Sequence, residues 1–347
     1  MSRKAKRRVG LGGGLVVLSA AIFFLLGNRP GDIPVLGAVL DPAPATCPLS
    51  GVEPRREAVL GRPAVAVKIE NAPIAYPLSG LERAEIVYEE LVEGGATRFM
   101  AIYHCTDTDK AGPVRSARMI DPAIMLPLTR ILGYSGENDH VQAALEEAEI
   151  VRLDEDNGGA GLVRVDRPGI SFEHTLYADT GLLRRLGRKV FDDPPPEDVF
   201  VFGELESGGR RAGEVLINFS AAGTLRYVWS EGGWLRFEGD QPFLAESGEQ
   251  IAVANVLLEE HDVNLSPIVD SAGNPSIEIA DATGEGRAVL FRDGRAIKGR
   301  WIRDDIDEAA RFVTKSGDTM TFAPGSIWIH LVPSSRGEVK GSFSFAK

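Results

Sequence analysis

Beyond residue 60 the chain is written in short apolar runs that alternate with polar positions and break at glycine or proline. Residues 64–69, AVAVKI, follow Pro63, are rich in β-branched side chains and stop at Glu70-Asn71-Ala72-Pro73, which predicts a strand. Residues 85–93 alternate strictly. Ile86, Tyr88, Glu90 and Val92 fall on one face, and Val87, Glu89, Leu91 and Glu93 on the other. Gly94-Gly95 interrupts the run and residues 97–105 alternate again, so the pattern predicts a hairpin. A helix over 82–93 is the competing reading, because Glu89 and Glu93 would then share a face. One or two helical turns fit 78–84. Helical spacing over 119–132 is broken by Pro122 and Pro127, the first of which suits an opening turn.

Further along, 131–134 is a short apolar run. Asn138 or Asp139 can cap a helix over 141–148, and 150–153 suggests another strand. A strand followed by Ser135-Gly136 and a helix start is also a geometry that offers backbone N–H groups to an anion. A last helix is predicted over 179–186. Strands alternating with helices point to an α/β first domain, residues 61–192. The run Asp192-Asp193-Pro194-Pro195-Pro196 separates it from residues 198–347. There, short β-rich runs recur between glycine-containing turns, at 215–219, 225–229, 234–237, 251–258, 277–279, 288–291, 299–302, 319–322 and 327–332. The expected fold is α+β, an N-terminal α/β domain followed by a mainly β C-terminal domain. Trp229, Trp234, Trp301 and Trp328 lie beside such turns. Core packing is the plainer reading for them, and a carbohydrate surface the other.

The N-terminus is different in kind. The first eight residues carry five basic side chains, and residues 9–26 carry no charge. Eighteen residues at about 1.5 Å each span about 27 Å, close to a hydrocarbon core of ~30 Å. Four of the eighteen are glycine, so signal peptide and signal anchor compete. An uncleaved anchor within residues 1–27 is favoured. It places the basic flank in the cytoplasm and the C-terminal body outside it, as a single-pass membrane protein. Residues 28–60 are proline-rich and read as a tether.

Charge narrows the partners. The whole chain has a formal net charge of −12, and beyond residue 30 it holds 32 basic against 50 acidic side chains. Nucleic acid binding needs clustered Lys and Arg, so such a body disfavours it. The two cysteines, Cys47 and Cys105, suggest one disulfide in an exported chain, with two free thiols as the alternative. A metal pair is disfavoured, since only His104 lies at ligand spacing. No H-E-x-x-H, C-x-x-C, P-loop or G-x-G-x-x-G occurs, so no cofactor is expected.

The chemistry concentrates in residues 89–118. Arg98, Arg115 and Arg118, with Ser116, form a group whose guanidiniums match a carboxylate or phosphate. Structural pairing with Glu89 and Glu93 is the equal alternative. Lys68, Glu70 and Asn71, at a predicted strand end, are candidates for the same cleft. His104 and His174 can act as acid or base near neutrality, though a lone histidine is more often structural. Ser135 fails the G-x-S-x-G nucleophile pattern at its last position.

These segments also carry a resemblance. RPAVAVKIENAP, SGLERAEIVYEELVEGGATRFMAIYH, AGPVRSAR and EHTLY are similar to the N-terminal part of the YerB-like bacterial envelope family. IAVANV, GEGRAVLFRDGRAIKGRW and FAPGSIWIHLVP are similar to its C-terminal part. The match covers about residues 47–345 and implies an envelope location and a two-part architecture of unknown function. Several members are lipoproteins. This chain has no cysteine just after its apolar run, which favours a peptide anchor. Two functions remain in view. One is non-catalytic binding of an anionic envelope component or a protein partner through the arginines. The other is an envelope hydrolase or transferase using Glu89 or Glu93 with His174.

Overall fold

The computed structural model describes residues 45–205, 208–221, 223–270 and 273–347. The expected membrane segment over 9–26, its basic flank and the first part of the tether lie outside the described residues. No helix among the described residues is long and apolar enough to cross a membrane. Within residues 45–60, expected to finish the tether, 47–50 pack on the body instead. Leu49 is fully buried, and Cys47 is bonded to Cys105.

The first segment contributes β1 (Val65–Glu70), β2 (Ile86–Leu91), β3 (Thr97–Tyr103), β4 (Ile131–Gly133) and β5 (Val151–Leu153). The hairpin reading of 85–105 holds, with β2 and β3 antiparallel. Within 78–84 a single 3₁₀ turn, Leu81–Arg83, forms. The helical spacing over 119–132 yields just α1 (Asp121–Met125). Pro122 fits its first turn, and Pro127 follows shortly after its end. Helix α2 (Asp139–Glu147) is capped by the Asn138 side chain, which accepts from the Val141 N–H. Helix α3 (Thr180–Gly187) is capped in the same way by Asp179. A small hairpin, Leu162–Arg164 with Leu176–Ala178, had no signal in the sequence pattern.

The second segment contributes β6 (Glu214–Asn218), β7 (Leu225–Ser230), β8 (Gly233–Glu238), β9 (Asn255–His261), β10 (Gly284–Arg292), β11 (Arg295–Arg303), β12 (Arg311–Thr314), β13 (Ile327–Pro333) and β14 (Ser342–Ala346). The fold is thus α+β, with a mainly β second part. The large sheet runs β12-β11-β10-β9-β13-β2-β3-β1-β4-β5, with Arg210–Arg211 added beside β11. It is continuous across the two segments. Strand β2 pairs in parallel with β13, opposing Glu89 to His330, and residues 45–347 form one compact unit. The smaller sheet orders β8-β7-β6-β14, flanked by two short strands.

Both faces of the large sheet are covered. Val67, Val87, Phe99 and Trp328 face the smaller sheet with Tyr227 and Trp234. Ala66, Ile86, Tyr88 and Met100 face the other way, with Ile124, Met125 and Leu145 of α1 and α2. Trp234, Trp301 and Trp328 are core residues, which removes them as a carbohydrate surface. In this frame every position of β2, and every position of β3 after Thr97, is inside, including the charged ones.

The Cys47–Cys105 bond spans 58 residues of sequence. On the chain-entropy model a loop of that size contributes about 4 kcal/mol. Replacing both cysteines by alanine is expected to lower the unfolding free energy by about that amount and to steepen the denaturant slope, since the unfolded chain is no longer cross-linked, measured in urea.

Candidate functional site

The two faces of the central hairpin hold two separate charged groups. On the face toward the smaller sheet, Glu89 of β2 is 2 % exposed. Its Oε2 lies 2.7 Å from Arg236 Nη1, and its Oε1 lies 3.3 Å from Arg236 Nη2, a two-pronged pair. His330 Nδ1 lies 3.1 Å from Oε2. Thr97 Oγ1 and Asn71 Nδ2 donate to Oε1 at 2.7 and 3.2 Å. Arg236 is fully buried on β8. Its guanidinium lies between 4.6 and 5.1 Å from the ring centres of Phe243, Trp328 and Phe99, and it also reaches Glu238. Burial acts to raise the Glu89 carboxyl, but Arg236 and the His330 hydrogen bond outweigh it and hold the group at about 2. The same carboxylates keep Arg236 well above the usual guanidinium range against its own desolvation. Asn71 belongs to this network, since its Oδ1 accepts from the Tyr76 hydroxyl at 2.7 Å.

On the opposite face, Lys68 is fully buried between Glu90 and Asp121, with Nζ 2.6 Å from Asp121 Oδ1. Burial pushes the Glu90 carboxyl up to about 7, against the pull of Lys68. Beyond this triad, at the hairpin end of the strands, sits the arginine group. Cross-strand register places Glu90, Arg98 and Glu70 in one row on β2, β3 and β1. Arg115 Nε lies 2.7 Å from Glu70 Oε2, and Arg118 grips Glu93 Oε2 through Nε at 2.9 Å and Nη2 at 2.6 Å. Arg98 differs. It is 8 % exposed, its Nε has no hydrogen-bond partner, and its one hydrogen bond runs from Nη1 to the Ser116 carbonyl at 3.4 Å. Among the described residues no carboxylate lies within ion-pairing distance of it. Burial, followed by the adjacent Arg118, lowers its pKa to about 10.

The structure therefore brings Glu70, Glu93, Arg98, Arg115, Ser116 and Arg118 together and joins His174 to them, Nδ1 lying 3.3 Å from Glu70 Oε2. Glu89 and Asn71 are on the far side of the sheet. Lys68 lies deeper, in its own triad. Of the pairings expected for the arginines, that of Arg118 with Glu93 is found. Glu89 goes to Arg236, and Arg115 takes Glu70 instead. His104 is fully buried, and burial with Arg184 and Arg62 nearby lowers it to about 4. Ser135 Oγ donates to Glu155 Oε2 at 2.9 Å, and the start of α2 is filled by its own Asn138 cap. Among the described residues, the one trio of candidate metal-ligating side chains is Cys47, Glu85 and Cys105, and the disulfide removes both thiolates.

Sequence reasoning passed over Arg236, His330, Tyr227 and Asp121. A signal existed for Arg236: in Trp234-Leu235-Arg236-Phe237-Glu238 it keeps step with the buried Trp234, at a position that alternation assigns to the interior.

Removing one member of a buried pair strands the other charge. Arg236→Met is expected to cost roughly 3–5 kcal/mol of stability, read from denaturant unfolding. Since the folded Glu89 lies below the ordinary carboxylate value, its contribution is present above about 4.5 and is lost as pH falls toward 2. Glu89→Gln should flatten that acid-side decline while lowering stability at pH 7.

Residues 49–191 match the model described as the N-terminal domain of a protein of unknown function, DUF3048, and residues 215–329 match the corresponding C-terminal domain. A protein of Bacillus subtilis (strain 168) named "Putative lipoprotein YerB" is 26 % identical over 317 residues, covering 82 % of this chain and 86 % of the relative. The crystal structure of the YerB protein from Bacillus subtilis shares the fold, with a TM-score of 0.69 at 24 % identity over 86 % of this chain and 99 % of that one. With both of its segments matched in order, the chain belongs to the YerB-like family, whose two parts are the DUF3048 N- and C-terminal domains of unknown function.

Proposed function

We propose that the protein is a membrane-associated extracytoplasmic binding protein that recognises an anionic group, on an envelope polymer or a protein partner, through Arg98, Arg115 and Arg118. The lipoprotein named among its relatives supports the location. In this chain residues 9–26 supply the anchor, with the N-terminus cytoplasmic and the body outside. The observation that carries the binding reading is Arg98. It is a nearly buried guanidinium with a free Nε and no carboxylate of its own, flanked by two arginines at the end of a rigid hairpin. An incoming phosphate or carboxylate would provide the missing acceptor, as charge-assisted hydrogen bonds favour. Arg115 and Arg118 are partly exposed, so their pairs with Glu70 and Glu93 leave donors that a ligand can share. Acid–base catalysis has less to draw on. Glu89 is enclosed between the sheets, and Glu93 is held by Arg118.

The test is thermal unfolding of the full chain against Arg115→Ala/Arg118→Ala, each with and without a soluble phosphodiester polymer or a soluble polycarboxylate. Ligand at about 100 times Kd adds ~2.7 kcal/mol, so the wild-type midpoint should rise by roughly 5 °C. The variant should not respond. If neither polymer moves the wild type, and the unliganded variant loses several degrees, the arginines are structural pins and the reading fails.

A further inference from the structure

A second surface, of opposite sign, lies away from the arginines. Helices α1 and α2 leave a cleft of about 700 Å³ against residues 278–282 and 306–307 of the second segment. Pro122, Leu126, Ala148 and Ile279 give it an apolar lining, and Met119 and Ile306, each 38 % exposed, add to it. Glu147, Glu149 and Glu278 also line it. All three are exposed and have no ion-pair partner among the described residues. The one basic side chain present, Arg130, is occupied by the Ala148 carbonyl and by Asp307 at 3.5 Å.

Backbone geometry adds an independent observation. Helix α2 ends in a Schellman turn, with the Ile150 N–H bonded to the Leu145 carbonyl and the Glu149 N–H to the Glu146 carbonyl. The left-handed residue of such a turn is usually glycine. Here it is Glu149, at φ 52°. A carboxylate is thus held over the cleft on a strained backbone, a combination that tends to mark functional positions.

We propose that this cleft docks a protein partner through an apolar side chain flanked by Lys or Arg. An apolar floor with a charged rim is the anatomy of a protein interface. A small-molecule site would add convergent polar groups to fix orientation, and the lining described here has none free at its floor. The unpaired carboxylates choose the sign of the partner. The site shares no residue with the arginine face, so it stands or falls separately.

The probes are three fluorescein-labelled peptides with a Leu-Trp-Leu centre, flanked on both sides by two lysines, two serines or two glutamates. Binding to the full chain is read by anisotropy at low and high salt. The lysine-flanked peptide should bind about tenfold more tightly than the serine-flanked one at low salt and lose that advantage at high salt. Ile306→Asp should abolish binding, and Glu147→Lys/Glu149→Lys should transfer the preference to the glutamate-flanked peptide. Glu149→Gly provides a readout that a structural role would not give: weaker peptide binding with a melting temperature unchanged or raised, because glycine relieves the turn. Equal binding of lysine- and serine-flanked peptides overturns the proposal, as does binding of neither. A concentration-dependent dimer in sedimentation that Ile306→Asp dissolves also overturns it, since a second copy would then be the occupant.

Discussion

The structure depends on one ion pair out of reach of water. Glu89 and Arg236 come from different sheets, and each would be costly to bury alone. Together they meet two-pronged, with His330, Thr97 and Asn71 completing the carboxylate and aromatic rings enclosing the guanidinium. Such a pair is a weak source of net stability, because desolvation offsets most of the attraction. Its effect is geometric. A one-residue slip of β2 would exchange Glu89 with Glu90 and leave charges on both faces without partners, so the register of the central hairpin is tightly specified.

That register also positions the arginine face. With β2 and β3 fixed, Glu90, Arg98 and Glu70 must lie in a row on the other side, and the Arg115–Arg118 stretch closes over the end of it. Strands thus carry Arg98 and Glu70, and the irregular segment bearing Arg115 and Arg118 is tied to them by the ion pairs with Glu70 and Glu93, which suits recognition by preorganised donors. A positive group on a body whose charge is strongly acidic is a local reversal of sign. The cleft beside α2 has the body's prevailing sign.

Much of this was legible in the sequence, in a form that follows from period-2 alternation. The hairpin, its breaking glycines, and the division of Glu89 from Glu90 could be read directly. The arginine group was legible in part: a short stretch and a neighbouring strand end supply Arg98, Arg115, Arg118, Glu93 and Glu70. But alternation puts Glu93 on the face of Glu89 and offers Glu89 to the group, whereas the turn Glu93–Gly95 brings Glu93 to Arg118 and Glu89 pairs with Arg236 on the other face. What could not be read was that both faces are covered. Alternation ordinarily suggests one wet face, and here the second cover and the strand beside β2 come from residues more than a hundred positions away. Glu89 therefore looked available for chemistry and is in fact enclosed. Strand Val263–Val269 was passed over because Pro267 sits within it, and the proline signal for an edge strand is also the signal for none. The tether was drawn too long because its recurring prolines break any helical or strand period, while a single Leu49 and a disulfide suffice to hold its end.

The parallel pairing of β2 with β13 has a consequence for the order of assembly. A ribosome makes residues 86–91 long before residues 327–333, so for most of synthesis the middle of the large sheet presents an open edge and an uncovered charged residue. The N-terminal half can gather its own hairpin but cannot complete its central sheet until the chain is almost finished. Its late partner acts as a keystone, and the two halves, separable as lines of sequence, mature as one object.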